Sequence, residues 1–174
     1  MQMENAAKDR EQYIIFLLGK KKFGVNIKQT REILSAKELT YVPDSPNYVR
    51  GIINLRGAVV PVVDLHLRLN IAGNTEDNNE KIIIIEMEDI TAGMLVDDVE
   101  EIKGLTREDI VNLPDLARKV DSSYIEGVGR SAESEELLLL LNLNNILTNK
   151  EIEGLKSVQI PQDAESADEQ EAVR

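Results

Sequence analysis

The sequence has no cysteine and no tryptophan, two phenylalanines, four tyrosines and a single histidine, His66. Without cysteine there can be no disulfide, no thiolate metal site and no cysteine nucleophile, and the cytoplasm is the expected setting. Positive charge is also scarce: 20 basic against 32 acidic residues leave a formal net charge of −12. A surface that neutralises nucleic-acid phosphates is therefore not expected, and aromatics at 3% leave little on which bases could stack. Lys20-Lys21-Lys22 is the one dense basic spot and reads as a solvated loop. No apolar run approaches the roughly 20 residues of a membrane helix, and the start MQMENAAKDREQ lacks the apolar stretch of a secretion signal, so a soluble chain is expected.

What is present is a succession of short runs rich in β-formers. Tyr13-Leu18, Phe23-Ile27, Ile52-Leu55, Ala58-Val63, Lys81-Met87, Ala92-Val96, Tyr124-Val128 and Leu137-Leu141 read as strands. Gly19, Pro43 to Pro46, Gly73-Asn74, Gly104, Pro114 and Gly129 read as turns or loops between them. Short helices fit only near Lys28-Leu34, Leu65-Leu69 and Ile146-Lys150. Residues 1–11 are expected to form a flexible tail. Residues 156–174 are expected to form a disordered acidic one, since Val173 is the only large apolar residue from Pro161 onward. A single domain is expected over residues 12–155.

That domain carries an internal duplication. Tyr13-Ile33 aligns with Ile82-Ile102 at an offset of 69, matching Gly24 to Gly93 and Glu32 to Glu101. YVRGII at 48–53 aligns with YIEGVG at 124–129 at an offset of 76, and VVPVVDLHLRL at 59–69 with LLLLLNLNNIL at 137–147 at an offset of 78. Ordered recurrence with slowly growing offsets is what a copied β-unit with loop insertions leaves. Each half, about 13–69 and 82–147 with exchange of strands possible, holds some five strands. The expected fold is thus all-β with short helices: two similar five-stranded barrels packed through a shared apolar core. Ile82-Ile85 and Leu137-Leu141, apolar at every position, call for sheets covered on both faces.

Candidates for chemistry are few. His66 reads as a lone surface histidine, with no nucleophile elbow near it. Asp97-Asp98 and Glu100-Glu101 read as an exposed acidic turn, because adjacent acids point to different faces. NTEDNNE at 74–80 is oxygen-rich but lacks calcium-loop spacing, and Gly127-Val128-Gly129 is half a phosphate-binding fingerprint that reads as turn chemistry. Neither catalysis, nor a cofactor, nor a metal is expected. Protein recognition remains. Ile27, Thr30 and Ile33 recur at spacings of three on a short helix expected from Lys28, with Val96, Val99 and Ile102 as their duplicates. These stripes are either core or the two flanks of one groove that takes an amphipathic partner helix. In GIINLRGAVVPVVDL, 51–65, Arg56-Gly57 is expected to form the tip of a hairpin.

YVRGIINLRGAVVPVVDL at 48–65 is similar to the signature of the CheW-type coupling proteins of bacterial chemotaxis. GMLVDDVEEI at 93–102, the Val-Pro at 42–43, and GVGR at 127–130 followed by LLLLLNLNNIL support the resemblance, which covers about residues 12–150. It implies a non-enzymatic, cytoplasmic adaptor, recruited to membrane-bound receptor arrays. One surface would hold the regulatory domain of a histidine autokinase and another the cytoplasmic helical hairpin of chemoreceptors, with no nucleic acid and no direct membrane contact. It implies receptor contact at Ile27, Thr30, Glu32, Ile33 and Val99, with Gly51, Asn54 and Arg56 beside them, and kinase contact around Gly104, Asp115 and Arg130. Thr30 departs from the aliphatic residue more usual in that family. Arg56 is expected to pair with Glu32. The alternative reading is a β-barrel that binds a small ligand or single-stranded nucleic acid.

Overall fold

The computed structural model describes residues 10–36, 39–71, 79–87, 90–112, 124–130 and 135–156. Eleven strands follow one another: β1 Glu11–Leu18, β2 Lys21–Asn26, β3 Thr30–Ser35, β4 Val49–Leu55, β5 Ala58–Asp64, β6 Lys81–Glu86, β7 Thr91–Val96, β8 Asp98–Leu105, β9 Ile110–Val111, β10 Ile125–Arg130 and β11 Leu137–Leu141. Helix α1, Leu65–Leu69, follows β5, and α2 spans 149–156. Single 3-10 turns lie at Ile27–Gln29, Arg107–Asp109 and Leu143–Asn145.

The strands form two sheets, ordered β8-β1-β2-β11-β10-β9 and β3-β6-β7-β5-β4. The first combines the opening hairpin of the chain with its last strands; the second takes the middle. Pairing is antiparallel except for β2 with β11 and β5 with β7. Among the described residues the outer strands of a sheet do not pair with each other, so the expected barrels are two open, packed sheets, one with a sixth strand.

Ile82 to Ile85 show why the runs are continuously apolar. Ile83 and Ile85 enter a large core shared by both sheets, together with Ile14, Phe16 and Val25 of the first sheet and Met94 of the second. Ile82 and Ile84 point the other way, into a smaller cluster with Val60, Val62 and Leu95 inside the second sheet. Tyr13, Ile15, Leu138 and Leu140 make the corresponding cluster inside the first. Each buried isoleucine contributes about 1.5–3 kcal/mol of hydrophobic stabilisation. Sheets covered on both faces sum these contributions without alternation.

The two sheets share one pairing scheme. Leu140 lies opposite Gly24, and Val62 opposite Gly93. Ile14 pairs with Ile102, and Ile83 with Ile33. These are the offsets of 69 and 78 seen in the sequence. The glycines meet equivalent neighbours: a Cβ on Gly24 would lie 2.8 Å from Leu140 Cδ2, and one on Gly93 2.6 Å from Ile82 Cγ2 and 3.3 Å from Val62 Cγ2. A side chain at either place would force these neighbouring methyl groups to shift.

Several expectations require correction. The segment Lys28–Leu34 is not a helix; it is a 3-10 turn running into β3. Its spacing of three comes from a β-bulge. Thr30 lies opposite Ile85 and Glu32 opposite Ile84, which leaves Arg31 as the extra residue and returns Ile33 to the face of Thr30. Glu100 is the extra residue at the equivalent place in β8 and does the same for Val99 and Ile102. The expected acidic turn is thus mostly a strand, and Gly104, Gly127 and Gly129 lie inside strands rather than turns. Lys22 belongs to β2 and bridges Glu100 at 3.2 Å and Glu136 at 3.1 Å, so the basic spot is not merely a solvated loop. The last helix begins later than expected, at 149.

Two predictions follow from the packing. Gly24→Ala and Gly93→Ala should each destabilise the protein by about 1–3 kcal/mol in urea, with an unchanged slope. The second concerns Tyr13, whose buried hydroxyl donates to Glu126 Oε1 at 2.7 Å. Burial, then the bond to Glu126, raises the phenol above its ordinary range. Its contribution is present below the ordinary value of about 10 and is lost as pH climbs above it. Tyr13→Phe should therefore flatten the alkaline fall in stability measured by urea titration between about pH 9 and 11.

Candidate partner-binding site

The bulges of β3 and β8 turn Thr30, Ile33, Val99 and Ile102 toward the shared core, on strands that form the edges of their sheets. An edge has no neighbour to finish the covering. Ile33 remains 37% exposed and Ile102 55%, while Ile27 and Val99 pack partly buried against the core. The stripes are therefore neither wholly core nor wholly free: their inner members anchor the border and their outer members face solvent. Thr30, half-buried, donates its hydroxyl to the Ile27 carbonyl at 2.9 Å and so ties off the 3-10 turn.

Glu32 belongs to the other face of β3. It lies opposite Ile84, toward the inside of the second sheet, and meets Arg56 at the β4–β5 tip. Because β3 and β4 are the two outer strands of that sheet, this contact shows that the sheet curls until its edges almost meet. Between them lies a cleft of about 660 Å³. The guanidinium takes both carboxylate oxygens, Nη1 donating to Oε1 at 3.2 Å and Nη2 to Oε2. Arg56 holds the Glu32 carboxyl below the ordinary carboxylate range through these bonds.

Arg56 has φ 49° and Gly57 φ 89°, the pair of positive values that a two-residue hairpin turn of type I′ needs. Asn54 Oδ1 accepts the Gly57 N–H at 2.9 Å. Arginine is a strained choice at the first of these positions, where asparagine or glycine fits more easily. The fork to Glu32 is what this arginine gains there.

A family model for the CheW-like domain matches residues 12–151. The chain belongs to the CheW-like family. It is 35% identical over 156 residues to the chemotaxis protein CheW of Rhizobium meliloti, covering 87% of this chain and 99% of that one. It is 30% identical over 142 residues to chemotaxis protein CheW of Klebsiella aerogenes, covering 82% and 84%. In structure it resembles the scaffolding protein TtCheW of Thermoanaerobacter tengcongensis, with a TM-score of 0.72 at 27% identity over 80% of this chain and 90% of that one.

The other expected contact residues of this CheW-like chain are scattered. Gly51 is buried within β4 and has no side chain to present. Gly104 lies in β8 opposite Gln12, and Arg130, exposed, ends β10 opposite Leu137, itself 61% exposed. Asp115 and residues 74–78 of the oxygen-rich loop lie outside the described residues. Among the described residues no cluster of acids or histidine could hold a metal ion, and no helix is long and apolar enough to cross a membrane.

His66 is not a surface residue. It is 11% exposed, with Nε2 2.6 Å from Asp97 Oδ1, and Asp97 Oδ2 accepts the Gly19 N–H at 2.7 Å. One contact thus joins α1, the crossing between sheets and the β1–β2 turn. Sequence reading also overlooked Asp64, buried at 5% exposure, which caps α1 through the His66 N–H at 2.9 Å and accepts Arg50 Nη1 at 2.8 Å. An Asp just before Leu-His-Leu was a readable cap signal.

Arg56→Gly suits the turn and removes the fork. Relief at the turn offsets the lost pair, so the urea midpoint at neutral pH should change only slightly, while the Glu32 carboxyl, followed by NMR titration, returns upward to its ordinary value of about 4.3. A depressed carboxyl contributes above that value and loses its contribution as pH falls through the folded one. The variant should therefore also lose part of the wild type's acid dependence.

Proposed function

We propose that this chain is a non-enzymatic adaptor of bacterial chemotaxis, working in the cytoplasm at membrane-bound receptor arrays. It couples the cytoplasmic helical hairpin of chemoreceptors to the regulatory domain of a histidine autokinase. Family membership supports the general role. One observation supports the receptor site: isoleucines left partly uncovered on edge strands at the border of the shared core, at Ile33 and Ile102. An amphipathic helix laid there would complete the covering that each edge lacks.

In this reading Ile27, Thr30, Ile33 and Val99 supply the apolar contact. Glu32, Asn54 and Arg56 supply a polar one on the opposite face of β3, and Gly51 holds the backbone of β4. The kinase surface is assigned to Gly104, Asp115 and Arg130. The adaptor acts as one unit over residues 12–155, built from two copies of a β-module; the expected tails, apart from Arg10 and Glu11 at one end and Lys156 at the other, lie outside the described residues.

The test is to titrate isotope-labelled protein with a receptor hairpin fragment and then with the kinase regulatory domain. The expected outcome is two separate footprints, the first centred on β3 and β8. Ile33→Asp should weaken receptor binding at least tenfold while the kinase affinity stays within twofold, since one buried apolar contact carries about 1.4 kcal/mol or more. Arg56→Glu should reduce receptor coupling while thermal unfolding is nearly unchanged, because an exposed pair acts more on specificity than on stability. A single footprint on the sheet ends alone would overturn the assignment.

A further inference from the structure

We propose that Arg31 and Glu100 are positioning residues: each is the extra residue of a bulge, and its ion pair to an inner strand holds the isoleucine beyond it at the border of the core, a role that rests on the receptor reading of Ile33 and Ile102. The two places are equivalent by the offset of 69. Arg31 interrupts the pairing of β3 with β6, and Glu100 that of β8 with β1. Arg31 Nη1 donates to Glu86 Oε1, at the end of β6, at 2.8 Å. Glu100 Oε2 lies 3.2 Å from Lys22 Nζ and so reaches over β1 to β2, and Lys22 also meets Glu136 at 3.1 Å. The charges are opposite in the two copies while the arrangement is the same. Repetition with the signs exchanged marks the pairing itself, rather than either charge, as what the edge uses.

The energetics of an edge explain the need. A bulge moved by one residue sends the side chains after it to the opposite face. Burial in the core opposes such a shift strongly in an inner strand, but Ile33 and Ile102 are partly exposed and oppose it weakly. Arg31-Glu32 and Glu100-Glu101 are polar and tolerate either arrangement. A partly exposed ion pair adds little to overall stability, yet a small preference decides between two bulge positions that differ little in burial. Glu86 lies two residues after Ile84, and Lys22 two before Gly24, on the inner faces of their sheets. The pairs therefore hold the edge strands from the side away from the isoleucines and leave the docking border open.

The test uses the full isotope-labelled chain titrated with the receptor hairpin fragment, the register of each edge being read from cross-strand NOEs between Ile33 and Ile83 and between Ile102 and Ile14. Glu86→Arg sets two arginines against each other and should weaken receptor binding about threefold while reducing the Ile33–Ile83 NOEs. Adding Arg31→Glu remakes the pair with its signs exchanged and should restore both. Lys22→Glu, set against Glu100 and Glu136, should have the same effect with the Ile102–Ile14 NOEs, and Glu100→Lys should restore it. Single variants that match the wild type, or swaps that restore nothing, would overturn the proposal. So would lost affinity with unchanged NOEs, the mark of charges that touch the receptor directly. Ile33→Asp separates the two readings: if it leaves receptor affinity intact the docking assignment fails, while the NOEs still decide whether the pairs hold the bulges.

Discussion

Each sheet in this protein has to bury both faces, one inside its own curl and one against the other sheet. The rest of the structure follows from that constraint. It requires apolar residues at the four central positions of β6, sending Ile83 and Ile85 to the shared core and Ile82 and Ile84 to the inner cluster. It also requires glycine where β2 and β7 are crossed by side chains from neighbouring strands on the inner face. Because the first hairpin pairs with β8 on one side and β11 on the other, neither half of the chain can complete its sheet alone. The first and last strands are thereby tied into a single cooperative structure.

Where double covering fails, at the edges, the molecule has its chemistry. The bulges at Arg31 and Glu100 shift the face of β3 and β8 by one residue, and the isoleucines beyond them lie at the border of the core instead of inside it. Charged residues on the same strands, Glu32 on β3 and Glu101 on β8, keep these edges from pairing with other sheets. The Arg56–Glu32 fork is a further device of this kind. Partly exposed, it adds little to stability, but it holds the two outer strands of the second sheet at a set separation and so gives the cleft its shape.

Much of this was readable in the residues. The Arg56-Gly57 hairpin, the doubled unit and the offsets that relate its copies all appear in the structure, the last down to single paired residues. What misled were segments whose pattern admits two explanations. A spacing of three among Ile27, Thr30 and Ile33 belongs equally to a helix and to a strand with one extra residue, and nothing within the segment distinguishes them. Asp-Asp-Val-Glu-Glu-Ile-Lys resembles an exposed acidic turn until its partner, Ile14 to Phe16 on β1, is known, since an edge strand can solvate one side and still pair on the other. His66 looked isolated because its partner, Asp97, is distant in sequence and arrives only when the chain crosses between sheets.

The amino-acid sequence by itself determined that the chain is β-rich, duplicated, acidic and of the CheW-like kind, because composition, periodicity and a local motif are properties of neighbours along the chain. Tertiary structure alone decided which strands became edges, where the bulges placed the isoleucines, and that a cleft lies between the edges of the second sheet. Those outcomes depend on contacts between residues dozens of positions apart. Their energies are set by which surfaces are left uncovered after every strand has found its partner.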